Sequence, residues 1–205
     1  MNTDIIIHPK LQHYGLTTGN VDAMVEWYRK VLGMTINQRS VVPAGAPHGP
    51  PFSAFAFISN DETDHRIVFF EVPGVVADPD KRRHTHLQHV AFNYETLDEL
   101  LGTYLRLKGI GILPLWAADL GVGISFYYQD PDQNVVELNI LNYGNDWTAT
   151  EFLRSSPASA VRPAPVDPEK LVAARQAGAS PWELHERALA GEFAPTKTLD
   201  PSTHF

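Results

Sequence analysis

The residues best placed to do chemistry in this chain are two histidines and a glutamate. His13 and His89 each close a Leu-Gln-His tripeptide, Leu11-Gln12-His13 and Leu87-Gln88-His89, and each tripeptide opens an apolar segment leading into a helix-like pattern. The 76-residue offset between them reads as an internal duplication that places the two histidines on equivalent strands. Glu137 lies near the end of a later strand, where alternation points it away from the side chains of Val136 and Leu138. Two neutral imidazoles and one carboxylate meeting at a cleft make the 2-His-1-carboxylate arrangement, which leaves positions open on Fe(II) for substrate and oxygen. The same donors suit Mn(II), Co(II), Ni(II) or Zn(II), so ligand identity alone does not select the metal.

These residues need elements to carry them, and the sequence supplies the same set twice. In the first half a strand over 11–18 leads to Asn20, which can cap a helix whose stripe is Val21, Met24, Val25, Tyr28, Val31 and Leu32 and which Gly33 ends. Strands over 34–42, 52–59 and 66–72 follow, separated by a Pro/Gly loop at 43–51 and a polar turn at 60–64. In the second half a strand over 86–94 precedes a capping box, Thr96 with Glu99, and a helix that Gly109 ends. Strands over 110–117, 123–129 and 135–141 complete it, the last two joined by the turn Asp130-Pro131-Asp132. The expected fold is α+β: two βαβββ modules, residues 8–73 and 84–143, pairing into one curved sheet cleft around a metal, plus a C-terminal extension, 144–205, with short helices. Within that extension, 155–168 reads as an extended linker. A helix over 168–176 follows, and a second starts at Ser180, with Pro181 and Glu183 completing its start signals. Its expected role is packing across the body or a partner subunit, with covering a cleft as the alternative.

Composition narrows the function class. A net charge of −8, with Lys81-Arg82-Arg83 as the only basic cluster, argues against a nucleic-acid or anionic-membrane surface. The absence of cysteine removes disulfides, thiolate metal sites and a cysteine nucleophile. No run of 18 apolar residues is present to span a bilayer, and the opening MNTDIIIHPK lacks the basic and apolar regions of a signal peptide. A cytoplasmic enzyme or binding protein is expected.

The helix segment VDAMVEWYRKVLGM, the two LQH strands and the closing SFYYQDPDQNVVELN resemble the vicinal-oxygen-chelate superfamily over about residues 8–143. That superfamily includes glyoxalase I, methylmalonyl-CoA epimerase, fosfomycin- and bleomycin-resistance proteins and type I extradiol dioxygenases. Phe126-Tyr127, ten residues before Glu137, and His65 in DHRIVFF look like the extradiol enzymes in a short form with one catalytic pair of modules. The resemblance implies metal ligands His13, His89 and Glu137. It implies Tyr127 as hydrogen-bond partner of a catecholate oxygen and His65 as acid–base catalyst. It also implies Fe(II), with Mn(II) as the alternative, and a small aromatic diol and O2 as reactants. Trp116, Leu120 and Phe126 are expected at the substrate, and self-association through sheet edges or the tail is expected. Leu120 stands where the family places a further histidine, and Gln133 where its turn has glycine.

Two other readings compete. Glu71, in VFFEV, occupies roughly the repeat-equivalent place of Glu137, and as a fourth ligand it would imply a glyoxalase- or epimerase-like isomerase or lyase. His65 and Glu71 are an even number of residues apart, so alternation puts both on one strand face. A protein that sequesters an aromatic ligand without turnover is the third reading. Among the remaining histidines, His84 and His86 read as solvated or linker-capping, and His8, His48, His185 and His204 show no partner in the sequence.

Overall fold

The computed structural model describes residues 6, 8–43, 49–157 and 163–196, with Arg82 given by its backbone. The middle of the expected 43–51 loop with His48, part of the expected 155–168 linker, and His204 lie outside the described residues. The chain divides into two compact units, Met1–Ala77 and Asp78–Phe205.

In the first unit the elements run β1 (Tyr14–Thr18), α1 (Val21–Leu32), β2 (Thr35–Val41), β3 (Ala54–Ser59) and β4 (Ile67–Glu71). The sheet order is β1-β4-β3-β2, with β1 and β4 parallel and the other pairs antiparallel. α1 starts where the Asn20 side chain accepts from the Ala23 amide at 3.0 Å. It stops at Gly33, whose φ of 67° lets the backbone turn left-handed. Its stripe Val21, Met24, Val25, Tyr28 and Val31 is buried against Ala54, Ala56, Ile58, Ile67 and Phe69. Each large apolar side chain so buried contributes roughly 1.5–3 kcal/mol.

The second unit repeats the order with β5 (His89–Asn93), α2 (Leu97–Gly109), β6 (Trp116–Asp119), β7 (Gly123–Gln129) and β8 (Val135–Leu141). It then adds α3 (Asp146–Ser155), β9 (Ala164–Pro165), α4 (Pro168–Gln176) and α5 (Pro181–Leu189). Its sheet order is β5-β8-β7-β6-β9. The capping box of Thr96 and Glu99 opens α2 as expected, and a second box, Ser180 with Glu183, opens α5. β6 is shorter and later than the expected 110–117, because Gly111 turns with φ 80° and Pro114 has no N–H to give a ladder.

The extension is built into this second unit. β9, expected as linker, pairs antiparallel with β6, and α3, which the sequence reading did not foresee, is capped by Asn145. α4 is fastened to α2 by an Arg175–Asp98 pair at 2.6 and 2.8 Å, by Lys108–Glu169 at 2.7 Å, and by a hydrogen bond from the Tyr104 hydroxyl to Glu169. α5 brings His185 to Asp119 of β6: both are buried, 2.7 Å apart, and Asp119 also accepts from the Gly121 amide and the Asn142 side chain. His185, for which the sequence showed no partner, is therefore a structural half of a buried pair. Among the described residues no helix is long and apolar enough to cross a membrane.

Candidate active site

In the second unit the sheet register gathers five polar side chains on one face. Tyr127 lies opposite Glu137, Ser125 lies opposite Asn139, and Ala91 lies opposite Glu137 on the other side, so His89, two residues before Ala91, shares that face. His89 Nε2 approaches Glu137 Oε2 at 2.9 Å. The other glutamate oxygen, Oε1, accepts from the Ser125 hydroxyl at 2.6 Å and from the Asn139 amide at 3.1 Å. Burial pushes the Glu137 carboxyl up, but the hydrogen bonds from His89, Ser125 and Asn139 outweigh it and hold the group below its ordinary value. Burial, and then the neighbouring Glu137 charge, raise the Tyr127 phenol, so its proton stays in place at neutral pH.

These residues fit a divalent cation. The Gln88 side-chain oxygen faces His89 Nδ1 and orients the ring with Nε2 toward Glu137, where a cation would take the place of the hydrogen bond between them. With Glu137 Oε1 already held by Ser125 and Asn139, Oε2 and His89 Nε2 converge on one point and would be the two ligand atoms of a bound cation. Among the described residues no group of three or more acidic or histidine side chains is gathered as a complete metal cage.

Around this group, Trp116 stacks on Tyr127 with ring centroids 5.3 Å apart, and Leu120 packs half-buried on the cluster of Trp116, Ala118, Tyr127 and Val135. Behind Trp116 is a cleft of about 310 Å³ walled by Pro114, Pro165, Pro168 and Pro195, so the extension shapes the surroundings of that indole. Phe126 does not belong here. Strand alternation turns it to the opposite face, fully buried edge-on against Tyr104 of α2, and its expected substrate role is corrected to core. Gln133 adopts φ 63°, alone among the described non-glycine residues, which is the conformation that a glycine in this turn would take freely.

In the first unit His13 and His65 each immediately precede a strand or lie one bend before it. The parallel pairing of Tyr14 with Ile67 brings their rings to 4.2 Å. His65 is 8% exposed, stacks on Phe57 at 4.4 Å and sets its Nδ1 at 2.5 Å from Asp64 Oδ2. Phe52, Phe55, Phe57 and Phe70 continue the aromatic strip on this face away from α1.

Glu71 is on the other face. The bend at Arg66 breaks the alternation between His65 and β4, and the register places Glu71 with Ala54 and Thr18 on the α1 side. Its Oε2 accepts from the Val21 amide at 3.0 Å, at the N-terminus of α1, and its Oε1 accepts from the Ser53 hydroxyl at 3.1 Å. The reading that puts both His65 and Glu71 toward one cleft is corrected: Glu71 serves a helix end.

The sequence reading passed over Gln12, Asp64, Gln88, Ser125 and Asn139. Both glutamines were visible in the duplicated tripeptide. Ser125 and Asn139 sit two residues from Tyr127 and Glu137, the spacing that shares a strand face.

The sequence profile of the Glyoxalase/Bleomycin resistance protein/Dioxygenase superfamily matches residues 10–138. Two proteins of Rhodococcus globerulus align over nearly their whole length. Biphenyl-2,3-diol 1,2-dioxygenase 3 is 32% identical over 185 residues, 90% of this chain and 91% of that protein. Biphenyl-2,3-diol 1,2-dioxygenase 2 is 34% identical over 189 residues, 91% and 92% respectively. A crystal structure of a glyoxylase/bleomycin resistance protein/dioxygenase domain from Frankia sp. EAN1pec superposes with a TM-score of 0.55 at 21% identity, over 66% of this chain and 99% of that one, a likeness of fold.

Proposed function

This chain belongs to the glyoxalase/bleomycin resistance protein/dioxygenase superfamily, and from that premise we propose that it is an extradiol-type dioxygenase opening a catechol-type aromatic with O2. The proposed metal ligands are His13, His89 and Glu137, the proposed acid–base residue is His65, and the metal is Fe(II), with Mn(II) as the alternative. The observation that carries the reading is the placement of Tyr127 on the same sheet face as the His89–Glu137 donor pair, with its phenol kept protonated. The activity for which the two Rhodococcus relatives are named agrees with it, and suggests a diol bearing an aryl substituent.

When bound, the metal supplies a path for electrons between a chelated diol and oxygen. The chain supplies the rest. Tyr127 donates a hydrogen bond to a diol oxygen and favours its charged form. Trp116, stacked behind Tyr127, holds that phenol in one orientation. His65, held at Nδ1 by Asp64, presents Nε2 to take up and return a proton. The strip of Phe52, Phe55, Phe57 and Phe70 offers a flat ring an apolar surface. Leu120 brings no donor, so Tyr127 carries the hydrogen bonding that the family shares with a histidine. Both atoms of O2 enter the ring-opened product, and no outside reductant is needed. The isomerase reading loses its fourth ligand, because Glu71 is committed to α1.

The test is anaerobic reconstitution with Fe(II), then addition of oxygen and a panel of catechols that includes biphenyl-2,3-diol. Oxygen uptake with appearance of a yellow ring-opened product is expected. Bound iron with no oxygen uptake for any diol contradicts the proposal, and tight diol binding without turnover would identify a sequestering protein.

A further inference from the structure

One carboxylate in the first unit fixes the hydrogen-bonding state of two histidines. Asp64 Oδ2 faces His65 Nδ1 at 2.5 Å, and Asp64 Oδ1 accepts from the Gln12 side-chain amide nitrogen at 2.7 Å. The Gln12 side-chain oxygen in turn faces His13 Nδ1. Donor and acceptor rules then leave one assignment. The Asp64 carboxyl lies below its ordinary value, chiefly through the His65 hydrogen bond, so it is ionised at neutral pH and only accepts. It therefore takes N–H from His65 on one oxygen and from the Gln12 amide on the other. That commits the Gln12 carbonyl to His13, and a carbonyl also only accepts, so His13 Nδ1 carries a proton. Each neutral ring thus carries its hydrogen on Nδ1 and turns its lone pair to Nε2, and the two rings lie 4.2 Å apart.

We propose that Asp64 is a positioning residue that, directly and through Gln12, sets His65 and His13 in the same tautomer and aims both Nε2 atoms outward for proton transfer and metal ligation respectively. The roles of the two histidines rest on the function proposed above. The hydrogen-bonded chain itself does not. Asp64 is mostly exposed, its side chain 69% accessible, so its contribution is orientation more than stability. Among the described residues, the second unit repeats the last link, Gln88 to His89.

The test combines ring-nitrogen NMR of the zinc-loaded protein with Mn(II) affinity by electron paramagnetic resonance. In the unaltered chain both His13 and His65 show Nδ1–H signatures. Gln12→Ala shifts His13 alone, whereas Asp64→Ala shifts both, and Asp64→Asn, which keeps the side-chain volume, guards against misfolding as the cause. Each of Gln12→Ala and Asp64→Ala weakens Mn(II) binding about tenfold to a hundredfold. Because the two residues act in series, the double variant is no weaker than Asp64→Ala alone. Unchanged tautomers in Asp64→Ala, or losses that multiply in the double variant, overturn the proposal. If the unaltered chain consumes no oxygen with any diol, the dioxygenase reading fails while the tautomer result stands.

Discussion

In the proposed function, Tyr127 and His65 have different proton roles because their environments differ. The phenol is buried beside a carboxylate and keeps its proton, while the imidazole is held by an ionised partner at one nitrogen. Tyr127→Phe removes a donor without changing shape, so kcat/KM is expected to fall about a hundredfold. Metal content measured by mass spectrometry should be unchanged, and a loss of iron would make Tyr127 a ligand. At this scale the sequence was legible where a residue type has few uses. His13, His89 and Glu137 stood out through duplication and spacing, and Tyr127 through the resemblance of its motif to the extradiol enzymes. Asp64 and Gln12 did not, because their role depends on a turn that brings Gln12 within 2.7 Å of Asp64 across 52 residues. Glu71 misled because counting by twos ignores the bend at Arg66.

Elements were legible where capping chemistry is local. Asn20, Thr96 and Ser180 each marked a helix start that the structure contains, since their side chains accept from amides a few residues on. β9 was not legible, because a two-residue strand exists only through its partner β6. α3 was missed although Asn145 caps it in the same way as Asn20 caps α1. Gly123 marks the start of β7 for a steric reason: a Cβ there would collide with the carbonyl oxygen of Ile140. Gly123→Ala is expected to cost about 1–3 kcal/mol, read as a lower midpoint in urea. An unchanged midpoint would mean that β7 and β8 separate at little cost.

The clamp of α4 on α2 also has a pH signature. Asp98 titrates below its ordinary value chiefly through the Arg175 hydrogen bond, and Glu169 does so chiefly through Lys108 and then Tyr104. A depressed folded value means the stabilisation is present above the ordinary carboxylate range and is lost as pH falls through the folded value. Hydrogen exchange of α4 amides, corrected for intrinsic rates, should therefore accelerate below about pH 4. High salt should blunt the effect, since these pairs are largely exposed. Protection that is flat across this range would show that apolar contacts alone hold α4.

At the scale of the whole molecule, the duplication carried the fold class and diverged where chemistry differs. Each unit opens on a Gln-His pair and folds as βαβββ, yet the strand-face carboxylate of the second unit, Glu137, has its first-unit counterpart turned to a helix end. The extension, outside the matched superfamily region, completes the second sheet and its core. The activity proposed for this scaffold is insertion of dioxygen into an aromatic ring beside a diol. Turnover of biphenyl-2,3-diol by the Fe(II)-loaded chain under isotopically heavy dioxygen, followed by mass spectrometry of the product, tests it most directly. A ring-opened product carrying both heavy oxygen atoms is expected. A product carrying none, or a diol recovered unchanged from the iron-loaded protein, would contradict it.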